Sequence, residues 1–140
     1  MKDSINVKWV GDMAFEAAVG NHTILLDAKP DVGGNDSGPR PKPLMMVSLA
    51  GCTGMDVISI LKKMKVDVKE FNVTIQADLT EEHPKHYTAM HVVYEFIGDH
   101  LQEDKLRRAI ELSQDKYCGV SASLRKAMDL TWEVRIIQQP

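Results

Sequence analysis

The chain has 140 residues, a formal net charge of −3, 44% hydrophobic and 26% charged residues, the profile of a globular protein with enough chain to bury roughly two thirds of its unfolded surface. The slightly acidic balance argues against a nucleic-acid partner, which demands a basic stripe. With two cysteines and an N-terminal MKDSINVKWV that lacks an apolar signal core, the expectation is a cytoplasmic protein whose thiols stay reduced.

In chain order, Ile5, Val7 and Trp9 alternate with polar residues, as a strand requires. Gly11-Asp12 and Gly20-Asn21 then divide this run from Met13–Val19 and from Thr23–Asp27. Both dipeptides tolerate the positive φ of two-residue hairpin turns, so a three-stranded meander is expected. Residues 28–41 carry three glycines and three prolines and predict a mobile surface loop.

Pro43 suits the first position of a helix, and helical periodicity follows through Met64. A projection groups Val47, Ala50, Gly54, Val57 and Leu61 on one side. Ser48, Cys52, Asp56 and Ser59 fall on the other, flanked by Met45 and Met55. So apolar a helix belongs in an interior. Ser48, Gly51, Gly54, Asp56 and Ser59 interrupt the apolar run, so no membrane span is expected.

Phe71, Val73, Ile75, Ala77 and Leu79 then alternate with polar residues, and a turn at 81–84 leads to a returning strand with Met90, Val92, Tyr94 and Phe96 on one face. Glu103 and Asp104 open a helix whose Leu106, Ala109, Ile110, Ser113 and Tyr117 recur at helical spacing. A short helix from Cys118-Gly119 turns Val120, Leu124 and Ala127 inward, and Leu130–Ile137 closes the chain as a strand. The order is βββ–α–ββ–αα–β, a single mixed α+β domain over residues 1–140, with the later strands expected to be antiparallel. One small sheet cannot cover both apolar sides of the central helix, so a two-fold homodimer is expected.

The cysteines admit two readings, a pair of small buried hydrophobes or a redox pair. Cys52 lies mid-helix, where Asp56 one turn on disfavours its thiolate if the two are close. Cys118 lies at a helix start, which favours one. The five histidines are scattered and predict no metal site.

GCTGMDVISIL around Cys52 and RAIELSQDKYCGVSASL around Cys118 resemble the two cysteine motifs of the OsmC/Ohr family, the osmotically induced and organic hydroperoxide resistance proteins. Lys116-Tyr117-Cys118 is most similar to a subgroup with a KYC signature. The resemblance implies an OsmC-like fold forming an intertwined homodimer. It also implies thiol-dependent reduction of organic hydroperoxides in stress defence, with no cofactor and an external dithiol as reductant. By position it makes Cys52 the peroxide-attacking thiol and Cys118 the resolving thiol. Met45, Ser48 and Met55 would line the substrate pocket.

Peroxidase members of the family pair an arginine of the N-terminal sheet with a glutamate about ten residues before the first cysteine. Here that sheet has no arginine, and the glutamate position falls near Lys42. Arg40 and Lys42 are candidate substitute cations, and Asp56 completes the group of candidate thiolate-supporting residues. The alternative is a non-catalytic dimer of the same fold that binds a small apolar ligand or senses oxidants.

Overall fold

The computed structural model describes residues 1–140 and divides into two compact units, Met1–Met45 and Met46–Pro140. In the first, β1 (Asn6–Gly11), β2 (Ala14–Val19) and β3 (His22–Leu26) form the expected meander, in the order β1-β2-β3. Lys8 faces Glu16 and Trp9 faces Phe15 across β1 and β2, two favourable cross-strand pairings. The first turn lies one residue later than the sequence suggests. Gly11 still pairs with Ala14 past a bulge, and the turn residues are Asp12, at φ 47°, and Met13. Trp9 Nε1 donates to Asp12 O at 2.8 Å and braces this corner.

The segment after β3 is more structured than a glycine- and proline-rich composition implies. Asp27 is 3% exposed, and its carboxylate accepts the backbone N–H groups of Ala28, Asn35 and Ser37 together with the Ser37 hydroxyl. These bonds, the Ser37 hydroxyl first, hold the Asp27 carboxyl at about 2, below its ordinary 3.8. The loop folds tightly enough that a Cβ on Gly38 would stand 2.2 Å from Leu25 O. Pro30–Val32 adds a single 3₁₀ turn.

In the second unit, β4 (Glu70–Leu79), β5 (Tyr87–Gly98) and β6 (Asp129–Gln138) form a sheet of order β4-β5-β6. β4 and β5 pair antiparallel. β6 pairs parallel to β5, where an antiparallel strand was expected. Residues 99–128 supply the crossover that a parallel return requires, and they do so with α2 (Glu103–Leu112) and α3 (Gly119–Leu124). Met90, Val92, Tyr94 and Phe96 are all buried on the expected face of β5. They form one core with Leu106, Ala109 and Ile110 of α2 and with Leu49, Val57 and Leu61 of the central helix α1 (Leu44–Lys63). Phe71 stacks on Phe96 with centroids 4.5 Å apart, and Trp132 meets Tyr94 edge-on at 6.2 Å.

The helix α1 turns differently from the projection. Its buried face is Leu49, Thr53, Val57 and Leu61, whereas Val47 and Met55 are 62% and 77% exposed. Thr53 takes a core position because polar partners on other elements receive its hydroxyl. By length and composition alone α1 is long and apolar enough to cross a membrane, despite its polar interruptions. In the fold it contributes its buried face to the core of the second unit. Tyr117 and Ala127, expected inward, are exposed, and Ser121 is the fully buried residue of α3. For Tyr117 the cause is the π-helical turn at Ser113–Tyr117, which takes it out of the α2 register, and Ala127 lies in the turn beyond the end of α3.

Candidate functional site

Cys52 sits at the middle of α1 and Cys118 is the N-cap of α3. Both are free thiols, Cys52 partly exposed and Cys118 buried. The Cys52 sulfur, the Cys118 sulfur and a carboxylate oxygen of Asp56 all lie within 4.8 Å of one another. Each contact has a local cause. Cys52 and Asp56 are four residues apart on one helix and share a face. The π-helical turn presents Cys118 against them, closed by Cys118 N donating to Ser113 O at 2.7 Å.

The first turn of α3 aims its free backbone donors at the sulfurs, since Ser121 N donates to Cys118 Sγ at 3.3 Å and the Val120 N–H donates to Cys52. The Val120 donor favours the Cys52 thiolate, but it is outweighed. Burial pushes the Cys52 thiol up, and the neighbouring Cys118 and Asp56 push it further. Asp56 therefore acts against the thiolate, as the one-turn spacing suggests, and is not a thiolate-supporting residue. Its carboxylate accepts a hydrogen bond from Ser113 Oγ at 2.9 Å.

Beneath the sulfurs runs a buried polar network that the sequence did not reveal. Thr53 Oγ1 is 2.6 Å from Tyr94 Oη and 2.8 Å from Ser113 Oγ. Gln114 Nε2 donates to Tyr94 Oη at 2.6 Å, and Arg125 donates to both the side-chain and backbone oxygens of Gln114. Burial raises the Tyr94 phenol, so it stays protonated and can donate. A threonine and a tyrosine at apolar positions of two different elements were the available signal, but their partners lie far off in sequence.

The remaining candidates are placed as follows. Arg40 pairs with Asp36 and also donates to Gly38 O at 3.1 Å, so its guanidinium is engaged within its own loop. Lys42 is exposed in the turn before α1. Met45 and Ser48 are exposed on the first turns of α1. Met55 lines an open apolar groove of about 570 Å³ with Gly51, Gly54, Ile58, Phe71 and Val73. A second groove, of about 370 Å³, is lined by Asp56, Ser59, Ile60, Lys63, Leu112 and Tyr117, and so reaches the Asp56 end of the thiol site.

The fold and site together define a dithiol protein, an α+β chain that brings a central-helix cysteine and a helix-capping cysteine face to face. The chain belongs to the OsmC family, whose description, OsmC-like protein, matches residues 33–133. It is 33% identical to protein YhfA of Escherichia coli (strain K12) over 133 residues, covering 94% of this chain and 96% of YhfA. Among solved structures, a hypothetical protein from Aquifex aeolicus VF5 is 28% identical with a TM-score of 0.81, covering 97% of this chain and 98% of that one. The organic hydroperoxide resistance protein OhrB of Bacillus subtilis shares the fold at 14% identity, with a TM-score of 0.65 and coverage of 96% and 98%.

Proposed function

We propose that this chain is a single OsmC-like domain, residues 1–140, that reduces organic hydroperoxides through Cys52 and Cys118. The observation that carries the reading is the approach of the two sulfurs within 4.8 Å in one chain. A disulfide needs about 2.05 Å, which side-chain rotation at the two sites must supply. In the first step the Cys52 thiolate attacks one peroxide oxygen and the O–O bond breaks. The alkoxide leaves and takes a proton to become the alcohol, and Cys52 becomes a sulfenic acid. The Cys118 thiolate then attacks the Cys52 sulfur, hydroxide leaves and is protonated to water, and the disulfide forms. An external dithiol returns two electrons and two protons by thiol–disulfide exchange.

Cys52 supplies the nucleophile and Cys118 resolves it. The Val120 and Ser121 N–H groups orient the two sulfurs. With its thiol pushed up by burial, Cys118 and Asp56, Cys52 reacts slowly at neutral pH unless a cation reaches it. Arg40 and Lys42 are the candidates for that part in an assembled homodimer, and the pH profile of peroxide attack tells whether either fills it. The large apolar side chains left exposed on the N-terminal sheet, among them Val7, Trp9, Val10 and Phe15, suit burial against a second copy. Lys116-Tyr117-Cys118 supports a reading of the chain as a KYC-subgroup protein, and in this reading the cytoplasm supplies the reducing conditions that the cycle needs. Neither nucleic acid nor membrane is a partner in this reading.

A second reading, a non-catalytic dimer that holds a small apolar ligand or senses oxidants, draws on the raised Cys52 thiol and the 570 Å³ apolar groove. Turnover of cumene hydroperoxide with a dithiol reductant separates the two. Dithiol-dependent turnover abolished by Cys52→Ser supports the peroxidase. Consumption no faster than by free cysteine supports the binding protein.

A further inference from the structure

The thiol site carries a donor set that peroxide chemistry leaves unused. Two sulfurs and one carboxylate oxygen converge from two elements, with every pair within 4.8 Å. Tetrahedral zinc with Zn–S bonds of about 2.3 Å holds its sulfurs roughly 3.8 Å apart, so the three atoms need only a small contraction to share one ion. Sequence spacing gives no hint of this set, because Cys118 joins the other two only through the fold.

We propose that the reduced protein binds one zinc-class divalent cation per chain through Cys52, Cys118 and Asp56. The chemistry of the donors sets the class of metal. Two thiolates with one carboxylate suit zinc or cobalt and reject magnesium and calcium, which prefer oxygen alone. Asp56 already has the outer partner that metal-ligating carboxylates use, since Ser113 Oγ donates to Asp56 Oδ2 at 2.9 Å. Cys52 and Asp56 are both partly exposed, which gives the ion access and leaves a fourth position for water or a small ligand. Beside them, the buried hydroxyl of Ser121 has no hydrogen-bond partner, and the N–H of the same residue already bonds Cys118 Sγ. The site would then be either metal-loaded or disulfide-forming, never both, because both states use the same two sulfurs.

The test uses the full reduced chain without peroxide, so its result is independent of peroxidase activity. Titration with Co²⁺ is expected to give one ion per chain, thiolate-to-cobalt charge-transfer absorption and the intense visible bands of a tetrahedral site, all displaced by Zn²⁺. Cys52→Ser and Cys118→Ser should each weaken binding by at least tenfold and diminish the charge-transfer band. Ser113→Ala should weaken it roughly 10- to 100-fold, the usual effect of losing an outer-shell partner. Wild-type protein oxidised to the disulfide should show an unchanged far-UV circular dichroism spectrum and bind no Co²⁺, which guards against variants that merely unfold. Absence of charge-transfer absorption in the reduced wild type, or bands that persist when both cysteines are serine, overturns the proposal.

Discussion

Asp56 stands one helical turn from Cys52 and opposes its ionisation, while the Val120 N–H on the facing helix supports it. The balance leaves the Cys52 thiol raised, burial being the largest cause. Removing the Asp56 charge should therefore lower the Cys52 pKa. Asp56→Asn is expected to alkylate at Cys52 faster than wild type at pH 7, with the rate–pH curve shifted to lower pH. An unchanged or upward-shifted curve would show that the carboxylate does not act on the sulfur.

The wild-type pH dependence follows from the same balance. Peroxide attack needs the thiolate, and a raised thiol is mostly protonated at neutral pH. The rate of peroxide consumption should climb as pH rises above neutrality, without a plateau near pH 7. Stopped-flow measurement from pH 6 to 9 checks this, and a flat profile would require an activating cation beside Cys52.

The polar network under the site should matter to stability as well as to alignment. Tyr94→Phe removes the hydroxyl that contacts both Thr53 and Gln114. Thr53 keeps Ser113 and Gln114 keeps Thr53 and Arg125, so the loss of two hydrogen bonds is expected to cost about 0.5–1.5 kcal/mol each in chemical denaturation. The cysteine spacing should loosen with it, read as slower disulfide formation after oxidation.

The N-terminal unit makes a separate prediction. Asp27 has its carboxyl held at about 2 in the fold against an ordinary 3.8. A depressed folded value gives stability that is fully present above 3.8 and lost as pH falls through about 2. Urea midpoints should therefore decline for wild type across that acid window, and Asp27→Asn should show a lower midpoint at neutral pH with a shallower decline. Gly38→Ala, which drives a Cβ to 2.2 Å from Leu25 O, should destabilise the same loop by roughly 1–3 kcal/mol.

The strands and helices were legible where one periodicity ran uninterrupted. Phe71 to Ala77 and Met90 to Phe96 alternate cleanly, and the structure turns the faces so marked toward the core, buried in β5 and half-buried in β4. The direction of β6 was not legible, because alternation marks a face and says nothing of which way a strand runs. In α1 the projection favoured Val47 over Thr53, since hydropathy ranks a threonine below a valine. Tyr94, Ser113 and Gln114, three distant partners, reverse that ranking. The π-helical turn at Ser113–Tyr117 likewise has no periodic signal, and it is what shifts Tyr117 outward. Both cysteines were visible as candidates from helix position and motif. Spacing put Asp56 one turn from Cys52 but left open whether it opposes or supports the thiolate, and the meeting of Cys118 with both needed the fold.

The most direct test is intact-mass analysis of the reduced protein after one equivalent of cumene hydroperoxide per chain. The account predicts loss of two hydrogens per chain, with Cys52 and Cys118 of the same chain joined and both thiols recovered on adding dithiothreitol. Persistent oxygen addition at Cys52 with Cys118 still free, or a bond between different chains, would contradict it.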